Sequence, residues 1–175
     1  MKHSHLIIFS AAFGLIFATF VVSLYFWNQL PAQIPIHFGI SGQPDGYTAK
    51  NIFSLFLLPV LNLAMFCLFS LIYRYPQYTS WPTTLILMTV ETEKREKIYE
   101  ILRSMNTWIL FWLTLLFTYL QYNIIATANG RANGLEGWVM IGFLVIVLLI
   151  IVYINTRMYL SIKKMMAQKA RTRSK

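Results

Sequence analysis

The residues able to do chemistry are gathered in one stretch of this 175-residue chain, Leu30–Lys50, which reads LPAQIPIHFGISGQPDGYTAK. It contains the chain's single aspartate, Asp45, and one of its three histidines, His37. An imidazole beside a carboxylate is the material of a general base and the group that orients it. It is also half of a metal site. Two ligands are an incomplete set, and Glu136 is the only other acid expected on the same side. A base alone lacks a nucleophile and an oxyanion site. No catalytic residue, metal or cofactor is therefore assigned. A plainer reading has Asp45 capping a turn or the start of the next helix, with Lys50 as its counter-charge, and His37 bonded to nearby backbone.

The elements that must position this stretch are apolar. The chain is 57% hydrophobic and 12% charged, where a soluble domain carries about a quarter charged residues. Four apolar runs, about 6–27, 51–73, 105–127 and 138–160, are each near the ~20 residues that cross a bilayer as a helix, and Arg157 near the end of the fourth is their one charged residue. The expected fold is all-α: one polytopic membrane domain over 1–175. It has an outer loop at 28–50, a cytoplasmic loop at 74–104 and a basic tail at 161–175. The first run exceeds a signal-peptide core, and no small-residue cleavage site closes it before Trp27-Asn28-Gln29, so it is expected to remain as a membrane helix.

Charge sets the orientation. Of the 15 lysines and arginines, all but Lys50 and Arg131 fall in the N-terminus, the middle loop, or the tail with Arg157 just before it. The positive-inside rule then predicts a multi-pass protein of a bacterial plasma (inner) membrane, both termini cytoplasmic and Leu30–Lys50 outside. The tail lacks aromatic interleaving, so nucleic acid is not an expected partner; attraction to anionic headgroups accounts for its charge. Cys67 is the one cysteine, which excludes disulfide and thiolate-cluster chemistry.

Within the loop, Pro31 and Pro35 favour extended backbone at the residues before them. Ile34–Phe38 alternates like a short strand or a strap on the membrane surface. Gln43-Pro44-Asp45-Gly46 predicts a turn. The pattern of Leu30, Pro31, Ile34, Pro35, His37, Gly42, Asp45, Gly46, Tyr47 and Lys50 resembles the signature of a bacterial membrane domain of unknown function found in SdpI-type immunity proteins. Trp81-Pro82 and the run Glu91–Arg103 resemble that family's cytoplasmic loop more loosely. The resemblance implies a binding, immunity or sensing role, with Pro35, His37, Gly42, Asp45, Gly46, Tyr47 and Lys50 as the recognition residues and a peptide or lipid as the outer ligand.

The helices give packing signals. Ser10, Gly14 and Ala18 form a small-residue stripe suited to close helix approach. Pro59 is expected to kink the second helix. Asn62 on that helix, and Thr114, Thr118 and Gln121 on one face of the third, are expected to point into the bundle. The fourth run is almost pure aliphatic and reads as peripheral. Leu85–Met88 reads as interfacial. From Glu91 the chain turns helical, with Ile98, Ile101, Leu102 and Met105 as an apolar stripe; this segment is expected to lie on the membrane and run into the third helix, or to dock a cytoplasmic protein. No intramembrane carboxylate is present for a proton-coupled exchanger, and the histidines His3, His5 and His37 are expected outside the spans, which excludes a haem bundle. Two alternatives to the binding role are a membrane-interface hydrolase or transferase using His37 and Asp45, and a structural subunit of a larger membrane complex.

Overall fold

The computed structural model describes residues 3–78 and 92–173. Helix α1 (His3–Phe26) closes in a single 3₁₀ turn, Trp27–Gln29; strands β1 (Gln33–Phe38) and β2 (Pro44–Ala49) follow, then α2 (Ile52–Arg74), a 3₁₀ turn at Pro76–Tyr78, α3 (Thr92–Ala128) and α4 (Gly137–Arg173). All four helices are long and apolar enough to cross a membrane. In lipid the helix is the form that satisfies the backbone of such runs from within. The departure from an all-α fold is the small antiparallel sheet of β1 and β2.

Helix α3 is the hub, packing against α1, α2, α4 and β1. Its polar face turns inward. Thr107, Thr114 and Gln121 are buried, as is the hydroxyl of Thr118. Gln121 Nε2 donates to Ser23 Oγ of α1 at 2.9 Å and to the Leu55 carbonyl of α2 at 3.0 Å, tying three helices at one point. Asn106 Nδ2 donates to the Phe69 carbonyl at 2.8 Å, and buried Asn62 reaches the Thr114 carbonyl at 3.5 Å. Helix α4 is peripheral: only 6% of its apolar window is buried.

The small-residue stripe is not the packing face. Helix α1 buries His5, Phe9, Ala12, Ile16, Thr19 and Ser23, while Ser10, Gly14 and Ala18 are exposed and Gly14 has open space about it. The side chain that decides the matter is Ser23, which must meet Gln121. His5 also departs from expectation. It lies inside α1, its Nδ1 3.2 Å from the Tyr73 hydroxyl and its ring edge-on to that ring.

Helices α3 and α4 are each 37 residues, about 55 Å long. The helix expected before residue 105 runs unbroken into α3, and the tail continues α4 to Arg173. Neither segment contains glycine or proline to end a helix. Ile98 moreover finds partners across the pair in Met158 and Ile162. Ile98 thus faces α4, while Met105 lines a cavity beside Phe69 and Ile72 of α2. The interfacial segment expected at Leu85–Met88 and the Trp81-Pro82 step lie outside the described residues.

Candidate recognition site: the β-hairpin

The stretch from Leu30 to Lys50 is a hairpin seated on the end of the bundle. Its apolar positions are the seat. Leu30 and Ile34 join Leu55 of α2 and Ile125 of α3 in one buried cluster, with Phe26, Trp27, Phe56 and Ala128 around it. Pro35 is buried beside Ile34. Leu30 itself is extended, φ −75° and ψ 142°, as a residue before proline must be.

Lys50 fastens the base. Its Nζ donates to the carbonyls of Trp27 at 3.0 Å and Leu30 at 2.9 Å, and it stands 5.5 Å from the centre of the Trp27 ring. These carbonyls lie just beyond α1, where the helix dipole is negative and a cation is favoured. Lys50 is therefore not the counter-charge of Asp45. Nor does Asp45 cap α2. Asn51 does so, in a reciprocal capping box: Ser54 N donates to Asn51 Oδ1 and Asn51 N donates to Ser54 Oγ, both at 2.9 Å.

The reversal falls earlier than the Pro-Asp-Gly sequence suggests. Gly42 N donates to the Gly39 carbonyl and Gly39 N to the Gln43 carbonyl, both at 2.9 Å. Gly42, φ +78°, supplies the left-handed residue. Pro44-Asp45-Gly46 already belongs to β2. Gly46 is needed for space: it pairs with His37 across the sheet, and a Cβ there would sit 2.8 Å from the His37 Cβ.

The tip is fastened as well. Leu135 N, in the α3–α4 loop, donates to the Gly42 carbonyl at 2.8 Å. A Cβ on Gly42 would collide with the Leu135 carbonyl, and one on Gly134 with the Gly42 carbonyl. The loop is held at its root by Gly130, φ +67°, with Arg131 N bonded back to the Ala126 carbonyl at 2.8 Å. Sequence reasoning placed no function on ANGRANGLEG. Its glycines were the only sign that another backbone approaches this closely.

With base and tip fixed, the remaining motif residues face outward. His37 Nδ1 donates to Asp45 Oδ1. The side chains are 72% and 54% exposed. This bond leaves Nε2 as the ring nitrogen open to a ligand. Ile36, Tyr47 and the tip residue Ile40 are exposed on the same hairpin. Apart from Pro31, which holds Leu30 extended, the motif positions split in two: Leu30, Ile34, Pro35, Gly42, Gly46 and Lys50 build the hairpin, and His37, Asp45 and Tyr47 are presented by it. Asn62, Thr114, Thr118 and Gln121 lie below, within the bundle. No group of three or more His, Cys, Asp or Glu suited to a metal occurs among the described residues.

Residues 14–63 match the family model of DUF1648, a domain of unknown function. That segment runs from the middle of α1 through the whole hairpin to the middle of α2. Over 48 residues the chain is 38% identical to the uncharacterized membrane protein YbgB of Bacillus subtilis (strain 168). The aligned stretch covers 27% of this chain and 52% of that protein, so the chain spans about half the length of this relative. No solved structure matches. The chain is thus a multi-pass membrane protein carrying a DUF1648 segment, and the hairpin is the centre of that segment.

Proposed function

We propose that this protein is a binding protein of the bacterial plasma membrane, its termini cytoplasmic and its hairpin turned outward to recognise a peptide or lipid. The single observation that carries the reading is that a segment bolted at base and tip presents a hydrogen-bonded His–Asp pair, Tyr47 and two isoleucines to solvent. Exposed aromatic and aliphatic groups around a polar pair are the make-up of a recognition surface. Fixing them beforehand lowers the ordering entropy that binding has to overcome. The charge asymmetry supports the orientation. The immunity and sensing roles implied by the resemblance to SdpI-type proteins are two uses of such a surface.

A second reading draws on the same pair. Asp45 orients the His37 imidazole as the partner of a general base would in a membrane-interface hydrolase or transferase. The openness of both side chains favours binding, since catalysis of that kind gains from excluding water.

A photocrosslinking residue at Tyr47 or Ile40, activated in growing cells, tests the proposal. The expected result is one dominant adduct, identified by mass spectrometry and lost in His37→Ala and Asp45→Ala proteins that still accumulate normally. Indiscriminate crosslinking to bulk lipid at both positions would refute it.

A further inference from the structure

The opposite end of the molecule holds a second site, independent of the hairpin. Three adjoining cavities run down the α3–α4 seam. The first, about 400 Å³, is half polar and is lined by Lys97, Glu100 and Ser104 of α3 and by Arg157, Ser161 and Lys164 of α4, with His5 of α1 at its side. The second, about 360 Å³, shares Ser104 and Arg157 with it and continues between Trp108, Trp112 and Ile150. The third, about 430 Å³, begins again at Trp112 and is lined wholly by apolar side chains. The volumes are of the size that holds small ligands.

The sequence of linings is what matters. Three cations stand against one carboxylate at the head, and a long apolar trough leads away from them at the depth of the membrane. Arg157 sits at the junction and lines both cavities, its guanidinium 6.0 Å from the Tyr153 ring. A guanidinium binds phosphate oxygens in pairs, and basic pockets between membrane helices suit anionic headgroups. Ser104 and Ser161 offer hydroxyls at the same level. A free phosphate would fill the head and leave the trough empty. A neutral lipid would fill the trough and leave the cations uncompensated.

We propose that the seam binds one anionic phospholipid, its phosphate on Arg157 and Lys164 with Lys97 alongside, and an acyl chain lying against Trp108, Trp112 and Ile150. The site goes beyond a general attraction of the basic tail to the bilayer, because it joins charge and trough in one place.

The two tryptophans make the test optical. The full chain in a neutral detergent is titrated with phosphatidylglycerol brominated in its acyl chains, and separately with the brominated phosphatidylcholine. Phosphatidylglycerol should quench tryptophan fluorescence at lower lipid fraction, and replacing both Trp108 and Trp112 by Phe should remove the difference. Arg157→Gln and Lys164→Gln should each weaken the preference about fivefold. Lys163→Gln, an exposed neighbour outside the cavity, should leave it unchanged and shows that the variants are otherwise sound. Glycerol phosphate should not reverse the quenching. Equal quenching by the two lipids, equal effects of Arg157→Gln and Lys163→Gln, or reversal by glycerol phosphate would each overturn the proposal.

Discussion

Gln121 donates a hydrogen bond to the carbonyl of Leu55, at 3.0 Å, and that carbonyl is the one whose helical partner Pro59 cannot supply. Proline has no N–H, so the acceptor four residues before it is orphaned. In a membrane no water stands by to replace the bond. The side chain that mends α2 belongs to α3, and its second N–H goes on to Ser23.

This makes Gln121 and Pro59 energetically coupled. Gln121→Leu should destabilise the bundle by about 0.6–1.7 kcal/mol, the range for interhelical hydrogen bonds. In a Pro59→Ala background the Leu55 carbonyl regains a helical donor, and the same substitution should cost less. A double-mutant cycle in detergent unfolding measures the difference. Additive effects would mean the carbonyl is satisfied some other way.

The two-loop contact predicts a graded response to alanine. At Gly42 and Gly134, φ +78° and +136°, a Cβ meets both backbone strain and a facing carbonyl. Either substitution should lose at least about 1–2 kcal/mol and expose Gly39–Gln43 to protease. Gly14→Ala, which meets nothing within 4 Å, should not destabilise. Similar proteolysis of all three variants would argue against the lock.

Lys50 and Asp45 should separate structure from recognition. Lys50→Met removes two charge-assisted bonds and should destabilise by about 1.5–3 kcal/mol. Asp45→Asn breaks only an exposed pair, for which about 1 kcal/mol is an upper figure, yet should abolish the hairpin's crosslinked adduct. Thermal unfolding and crosslinking, run on the same samples, give the comparison. An Asp45→Asn protein that keeps its adduct would show that the charge is not read.

The orientation is open to direct labelling. Cys67→Ser removes the one thiol, and single cysteines can then be placed at Ser41 on the hairpin and at Lys163 on α4, both exposed. An impermeant maleimide on intact cells should reach the first and not the second. Labelling at position 163 in sealed cells would reverse the topology.

The four apolar runs and the inward face of α3 were legible because each rests on a local pattern: length in one case, a three-and-four repeat of Thr and Gln in the other. The hairpin was half legible. Ile34–Phe38 alternates and reads as extended, but β2 contains Pro, Asp and Gly, which by local preference make a turn. Its strand character comes from pairing with β1, a tertiary effect. The pairing of His37 with Asp45 is one of several readings the sequence allows, and the register of the two strands decides it; the use of Lys50 is hidden, since nothing local shows that a chain end from α1 lies within reach. On the basic side α3 and α4 extend past the apolar runs, because charge does not end a helix and no helix-breaking residue occurs there.

The bridge from Gln121 to Ser23 also sets an order of assembly. The partners are 98 residues apart, and at about 5–20 residues per second a ribosome needs roughly 5–20 s to deliver the second after the first. Through that interval the Ser23 hydroxyl is bonded only within its own helix, to the Thr19 carbonyl, and the Leu55 carbonyl lacks the Gln121 donor. The hairpin meanwhile has its Lys50 fastening but not its Leu135 one, which emerges later still. The segment that matches DUF1648 is thus synthesised before α3 but completed only after it, and a nascent chain halted before α3 would carry it in an unfinished form.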